Sequence, residues 1–359
     1  MTEFDKYIRQ GEPDQKEKAA TWQVAIGLQD VDGLKPSEYL IQTAQQHIEG
    51  DISIDEVKHL IDTYYQSKSS REEIEDERTE EADKVSARIT ELLSEKTFSF
   101  TPDYLLYIHK RLFEGLYKHA GQIRNYNITK KEWVLDGDTV IYSDYEMIRP
   151  TLDYDFAQEK NTDYPAMNAE QALQRIGKFI SGIWQIHAFG EGNTRTIAVF
   201  LMKYLKTFGF KVDNDIFKKH SWYFRNALVR ANYNNYTKGV SANTKYLEMF
   251  LRNMLFGEEN NLSNREMNIN FSQSAKEEES KSQNGTLNGT LSCTLDEMAL
   301  LNFLKENPKA TQSDIAEHIG KSERTVKRMT PSLIERGLLE RINGKGDKGS
   351  WVVKIIDKD

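Results

Sequence analysis

The feature that most restricts this chain is a pair of apolar stripes at helical spacing, joined by a short glycine-bearing loop. From Gln171 to His187, the residues Leu173, Ile176, Ile180 and Ile183 recur every three or four positions. From about Asn193, the residues Ile197, Phe200, Leu201, Tyr204 and Leu205 repeat the pattern. Such spacing puts the apolar side chains on one face of a helix, and that face must be buried against another element. The loop between the stripes therefore opens the second helix. A helix opens with backbone N–H groups that have no partner within it and with the positive end of its dipole. A loop at that place suits an anion, and Gly190 and Gly192 let the backbone approach one closely.

The same passage, His187-Ala188-Phe189-Gly190-Glu191-Gly192-Asn193-Thr194-Arg195, carries side chains for a reaction. His187 is a candidate general base near neutral pH, Glu191 a carboxylate able to hold Mg²⁺, and Arg195 a donor for phosphate oxygens. Transfer of a phosphoryl or nucleotidyl group needs that set: a base for the attacking hydroxyl, a metal on the phosphates, and donors for developing charge.

A chain of 359 residues should divide into two or three domains, and its composition shifts mark where. Residues 1–66 read as a helical region, with a helix through Ala20, Trp22 and Val24 to Leu28, a turn at Asp32-Gly33, and helices begun by Ser37 and Ser53. Residues 67–83 are dense in charge and read as a solvated connector or charged helix face. Residues 84–256 read as helical except for a β-hairpin between Gly121 and Tyr142, where IRNYNI and TVIY flank a Leu-Asp-Gly-Asp turn. Residues 257–294 lack large apolar side chains and read as a flexible linker. Residues 295–359 form a further unit, and the fold class is mainly α.

Cys293 is the single cysteine, which excludes an intrachain disulfide and a cysteine-rich zinc site. No run of about 18 apolar residues occurs, so no membrane span is expected, and the N-terminus has no signal-peptide pattern. A cytoplasmic protein is the expectation. The net charge of −8 argues against a chain that coats nucleic acid along its whole length.

The nine-residue passage resembles the Fic family signature, H-x-F-x-[D/E]-G-N-x-R, and the resemblance spans about 84–256. The upstream hairpin stands where that family has its target-positioning flap, and FRNALVRANY resembles its closing helix. The resemblance implies a protein adenylyltransferase using ATP and Mg²⁺. His187 would deprotonate a Ser, Thr or Tyr hydroxyl of a protein partner, which attacks the α-phosphate of ATP and releases pyrophosphate. Phe189 would anchor the loop and Glu191 would coordinate Mg²⁺. The backbone amides of Gly192, Asn193 and Thr194, with the Asn193 side chain, would form the anion hole. Arg195 would bind phosphate oxygens. In the flap, Ile128, Thr129, Lys130 and Lys131 and the arm from Val140 to Tyr142 would hold the target by strand addition. The reading requires an imidazole that faces an open cleft.

Two positions depart from the family pattern. Thr194 stands where Gly is usual, and Ala198 replaces a second Arg that normally holds the terminal phosphate. The related Doc-type kinases also lack that Arg and transfer a terminal phosphate, so a Doc-like kinase is the alternative enzyme. A DNA-binding regulator whose Fic domain senses nucleotide is the reading from another class.

The N-terminal region resembles the small antitoxins that pair with Fic toxins. Their inhibitory motif, [S/T]-x-x-x-E-[G/N], is degenerate here: Leu28 takes the Ser/Thr place and Asp32-Gly33 the Glu-Gly place. With no Arg at 198, Asp32 is expected to have lost its partner, leaving inhibition weakened or different in kind.

The last unit reads as helix, helix–turn–helix and two-stranded wing, resembling the winged-helix family. Leu295 to Glu306 is the first helix and Thr311 opens the second. Ser322 caps a third that turns Val326, Met329, Leu333 and Ile334 inward. Arg324, Thr325, Lys327 and Arg328 on its outer side, with Lys345 and Lys348 at the wing tip, are candidate DNA contacts. From 311 onward ten Lys/Arg stand against eight Asp/Glu, a net of +2, so DNA is one candidate partner and a protein or a second copy of the chain another.

Overall fold

The computed structural model describes residues 4–67, 74–210, 216–274, 293–342 and 349–354. Apart from the two strands of the C-terminal wing, the named elements are helices.

The N-terminal region is α1 (Asp5–Gln10), α2 (Pro13–Gly27), a 3₁₀ turn (Leu28–Asp32), α3 (Glu38–Glu49) and α4 (Ile54–Ser67). Gly33 takes φ +65 to stop the 3₁₀ turn, and the Ser37 hydroxyl accepts from the Leu40 amide to start α3. Trp22, Leu40, Ala44, Ile48, Val57 and Ile61 bury together as a core of this region.

The charged stretch 67–83 is not a solvated connector where the structure describes it. From Ile74 it is already α5 (Ile74–Ser94), which packs between α2, α4 and α6. Two of its acidic side chains turn inward: Asp83 is buried and accepts from the Ser37 and Tyr65 hydroxyls, and Glu80, with Asp62 of α4, pairs with Lys84. Lys203 and Lys206 reach across to donate to the carbonyls that end α5, those of Leu92, Glu95 and Leu93.

The central body is α6 (Pro102–Phe113), α7 (Ile148–Lys160), α8 (Ala169–Ile186), α9 (Asn193–Lys206), α10 (Ile216–Ala231) and α11 (Lys245–Phe256). Helix α8 starts with a reciprocal cap: Asn168 accepts from the Gln171 amide while Gln171 accepts from that of Asn168. Helix α9 is buried along its whole length to Leu205, packed by α5, α6 and α8.

The hairpin expected between Gly121 and Tyr142 is instead two extended arms joined by a 3₁₀ turn, Trp133–Leu135. The arms meet through the Glu132 amide on the Asp138 carbonyl, 2.9 Å, and no ladder extends beyond it. The tip is bolted down instead. Asp138 accepts from Tyr233, Asn235 and Lys238, and buried Glu132 pairs with Arg225 at 2.7 Å.

The expected linker is structured as far as it is described to Ser274, with α12 (Asn264–Met267) and α13 (Ile269–Ser274). Met267 and Ile269 are buried, and Asn264 accepts from Asn226. The rest of the expected linker, 275–292, lies outside the described residues.

The C-terminal unit is α14 (Leu295–Glu306), α15 (Gln312–His318), α16 (Glu323–Glu335), β1 (Leu339–Ile342) and β2 (Ser350–Val353). The strands pair antiparallel with Leu339 opposite Val353. Thr294, Thr311 and Ser322 cap the three helices through their hydroxyls. Ile334, expected inward, is exposed, because Leu333 already fills the inward position on that turn of α16.

Candidate active-site loop

The loop between α8 and α9 is fixed by side chains from outside it. Helix α8 ends as His187 turns into the left-handed region, φ +52, its amide donating to the Trp184 carbonyl. Arg124 then gathers the exit: its guanidinium donates to the carbonyls of His187, Tyr126 and Ser143, and its amide to that of Ala188. Gly192 stands at φ +71 with the Phe113 ring against it, so that a Cβ there would sit 2.4 Å from the ring. Phe189 is buried, as expected of an anchor, and stacks on His109 at 3.7 Å between centroids.

His109 was not singled out from the sequence. Its Nδ1 accepts from the Gly121 amide at 2.8 Å, which leaves Nε2–H to donate to the Glu191 carbonyl at 3.0 Å. One neutral imidazole thus ties the base of the flap to the loop between α8 and α9. Burial pushes its pKa down to about 4.

The Asn193 side chain does not face an anion. Its amide group closes the loop on itself, accepting from the Phe189 amide and donating to the Phe189 carbonyl. Thr194 spends its hydroxyl on the Trp184 indole N–H, 3.0 Å. The backbone amides of Gly192, Asn193 and Thr194 stand in the cap and first turn of α9, where N–H groups have no carbonyl of their own helix to meet.

The imidazole of His187 is not open to a cleft. It is 4% exposed, with the Tyr142 ring 4.2 Å from it, and among the described residues neither ring nitrogen has a side-chain hydrogen-bond partner. Burial first, and then the charges of Lys130 and Arg124, hold its pKa well below the usual imidazole value. The flap arm that was to hold a target therefore turns Tyr142 inward as a lid on the imidazole, while Ile141 beside it is exposed. Of the other flap residues, Ile128 is half-buried, Thr129 and Lys131 are exposed, and Lys130 bonds Glu191 at 3.1 Å.

Arg195 is 1% exposed and ringed by partners. Asp32 Oδ2 lies 2.8 Å from Nε and Glu81 Oε1 2.6 Å from Nη2, while Gln29 and Tyr117 add oxygens at 3.1 Å and the Phe113 ring lies beneath. The expectation that Asp32 had lost its partner is overturned: it has moved to the first arginine. Gly33, beside it, lends its carbonyl to Arg78.

Glu191 is mostly exposed at its carboxylate. Among the described residues no group of three or more His, Cys, Asp or Glu gathers as a metal cage. A single outward carboxylate fits a Mg²⁺ that arrives with nucleotide phosphates, because that ion commonly takes one or two protein carboxylates and keeps the rest of its shell for phosphate and water. In the C-terminal unit, Arg324, Lys327 and Arg328 are exposed and Thr325 is half-buried on α16; Lys345 and Lys348 lie outside the described residues.

Residues 99–205, which contain this glycine-bearing loop with its histidine, glutamate and arginine, match the Fic/DOC family. Residues 297–340 match the winged helix-turn-helix DNA-binding family. The chain is also 27% identical over 150 residues to protein adenylyltransferase VbhT of Bartonella schoenbuchensis, a match covering 38% of this chain and 30% of that protein. The chain thus joins a Fic/DOC domain to a helical N-terminal region and a C-terminal winged helix.

Proposed function

We propose that this protein transfers AMP from ATP to a Ser, Thr or Tyr hydroxyl of a protein target, with His187 as general base. The carrying observation is the order of His187, Glu191 and Arg195 on one glycine-bearing loop that opens α9, with the His187 ring closed off under Tyr142 and no side-chain hydrogen-bond partner for it among the described residues. A neutral imidazole without a partner can accept a proton without first breaking a hydrogen bond. Its depressed pKa keeps it in that form.

In the reaction, the target oxygen attacks the α-phosphorus, His187 takes its proton, and the bond to the bridging oxygen breaks to release pyrophosphate. The amides of Gly192, Asn193 and Thr194 face the charge on the phosphates, and Glu191 holds Mg²⁺, which when bound neutralises phosphate charge. Tyr142 has to move off the imidazole for the hydroxyl to enter. Relatedness to an adenylyltransferase supports the choice of AMP. Incubation with α-labelled and γ-labelled ATP separately tests it: retained α label is expected, retained γ label alone makes the protein a Doc-like kinase, and neither leaves a nucleotide-sensing regulator.

A second role concerns the N-terminal region. Asp32, Glu81, Gln29 and Tyr117 ring Arg195, the Asp32 contact at Nε being an ion pair without hydrogen-bond geometry, so phosphate oxygens have to displace carboxylates to reach it. The N-terminal region together with α5 restrains the enzyme at this arginine. A cytoplasmic setting fits, since no described helix is long and apolar enough to cross a membrane. The winged helix binds duplex DNA through α16.

A further inference from the structure

The two helices that hold the catalytic loop run away from it to the winged helix. At the far end of α8 the Ala169 amide donates to the Cys293 carbonyl, 2.6 Å. Beyond the far end of α9 the chain turns at Gly209, φ +80, where a Cβ would lie 2.8 Å from Ile319 Cα and 3.1 Å from its Cβ. Backbone meets backbone there, at the turn between α15 and α16. Asn302 of α14 adds a hydrogen bond to the Leu255 carbonyl, 2.7 Å, and the apolar core continues from one unit to the other.

This docking turns one flank of α16 toward the central body. Thr325, Arg328 and Ser332, spaced by three and four residues, line a cleft of about 370 Å³ whose other wall is Tyr164, Pro165 and Phe208. Arg328 has no hydrogen bond or ion pair among the described residues, whereas Lys327 on the outer flank pairs with Glu323. One flank of α16, with Arg328 on it, therefore faces a wall, while Arg324 stays on the outer side.

We infer that the central body and duplex DNA compete for the same flank of α16, so that the winged helix reads DNA only when it leaves the end of α8 and α9. The inference rests on the reading that this unit binds DNA. A major groove about 12 Å wide is filled by a helix of about 10–12 Å with its side chains, so a phosphate backbone runs along both flanks of a reading helix. A cleft of about 370 Å³ is the size of a small-molecule pocket. A strand laid along that flank has to displace the far wall, Tyr164, Pro165 and Phe208.

The test locks and releases the docking in one full-length protein. Gly209→Cys with Ile319→Cys sets two Cβ atoms 3.1 Å apart before the backbone gives, closer than the roughly 3.5–4.5 Å of a bridged pair, so the reduced form strains the seam open as Gly209→Val does and oxidation draws it shut; Cys293→Ser removes the native thiol. A duplex is selected from a random-sequence 30-base-pair pool on the reduced protein and titrated against both forms. The oxidised form is expected to bind at least tenfold more weakly, with binding restored by reductant. Gly209→Val, which pushes against the Ile319 backbone, is expected to bind the same duplex more tightly than the wild type, circular dichroism and a cooperative melt showing that it folds. Equal affinity of oxidised and reduced forms, with Gly209→Val unchanged, overturns the competition while leaving DNA binding intact. Failure of every form to enrich any duplex removes the DNA-binding reading, and the competition with it.

Discussion

Asp32 Oδ2 lies 2.8 Å from Arg195 Nε, so a residue of the N-terminal region holds the arginine of the catalytic loop. Glu81 holds the other side of the same guanidinium. Replacing both, as Asp32→Asn with Glu81→Gln, leaves Arg195 free for phosphate. Incorporation of α label into the protein itself should rise at least tenfold. The same change should cost about 1–3 kcal/mol of stability, because a buried guanidinium loses its charged partners. Labelling at the wild-type rate, alongside the expected fall in melting temperature, would show that the pair is only structural.

Two glycines of one loop should behave differently. At Gly192 an added methyl group meets the Phe113 ring at 2.4 Å in a backbone conformation that suits glycine, so Gly192→Ala should lose activity and at least 2 kcal/mol or so. At Gly190 the nearest obstacle is the Tyr126 hydroxyl, the far end of an exposed side chain. Gly190→Ala should melt close to the wild type. Equal melting temperatures for the two variants would contradict the packing described.

His109 predicts an acid-sensitive stability. Its folded pKa of about 4 lies below the ordinary imidazole value near 6.5, so between those values the unfolded chain binds the extra proton. Stability from this group is complete above about pH 6.5 and is lost as pH falls toward about 4, by roughly 3 kcal/mol in all. Chemical denaturation across that range should show a shallower slope for His109→Gln than for the wild type. Identical slopes would mean that the imidazole titrates freely.

The loop itself was legible because its chemistry is local: His187 to Arg195 are neighbours in the chain, and the flanking stripes announce two helices. The partners of Arg195 were not, since Gln29, Asp32, Glu81 and Tyr117 converge on it from distant positions. The stretch 67–83 reads as solvated because its carboxylates are dense; the inward turn of Asp83 and Glu81 depends on Ser37, Tyr65 and Arg195, which lie far off in the sequence. His109 sits on the apolar face of α6 and looks like any core residue until Gly121 and Glu191 are placed at its two nitrogens. The hairpin was over-read because alternation signals extended backbone, while pairing needs ladder bonds. Here the flap is tied down by Asp138 and Glu132 instead.

The base is tested most directly by removing it from the released enzyme. With Asp32→Asn and Glu81→Gln already in place, His187→Ala should reduce α-label transfer by about 10²–10⁴-fold. The chain should still unfold cooperatively, losing about 2–4 kcal/mol for the cavity left under Tyr142. In the parent double variant the acid limb of the pH–rate profile should lie below pH 6.5 or so, because His187 is held neutral. Transfer that survives His187→Ala at the parent rate would contradict the assignment of the base.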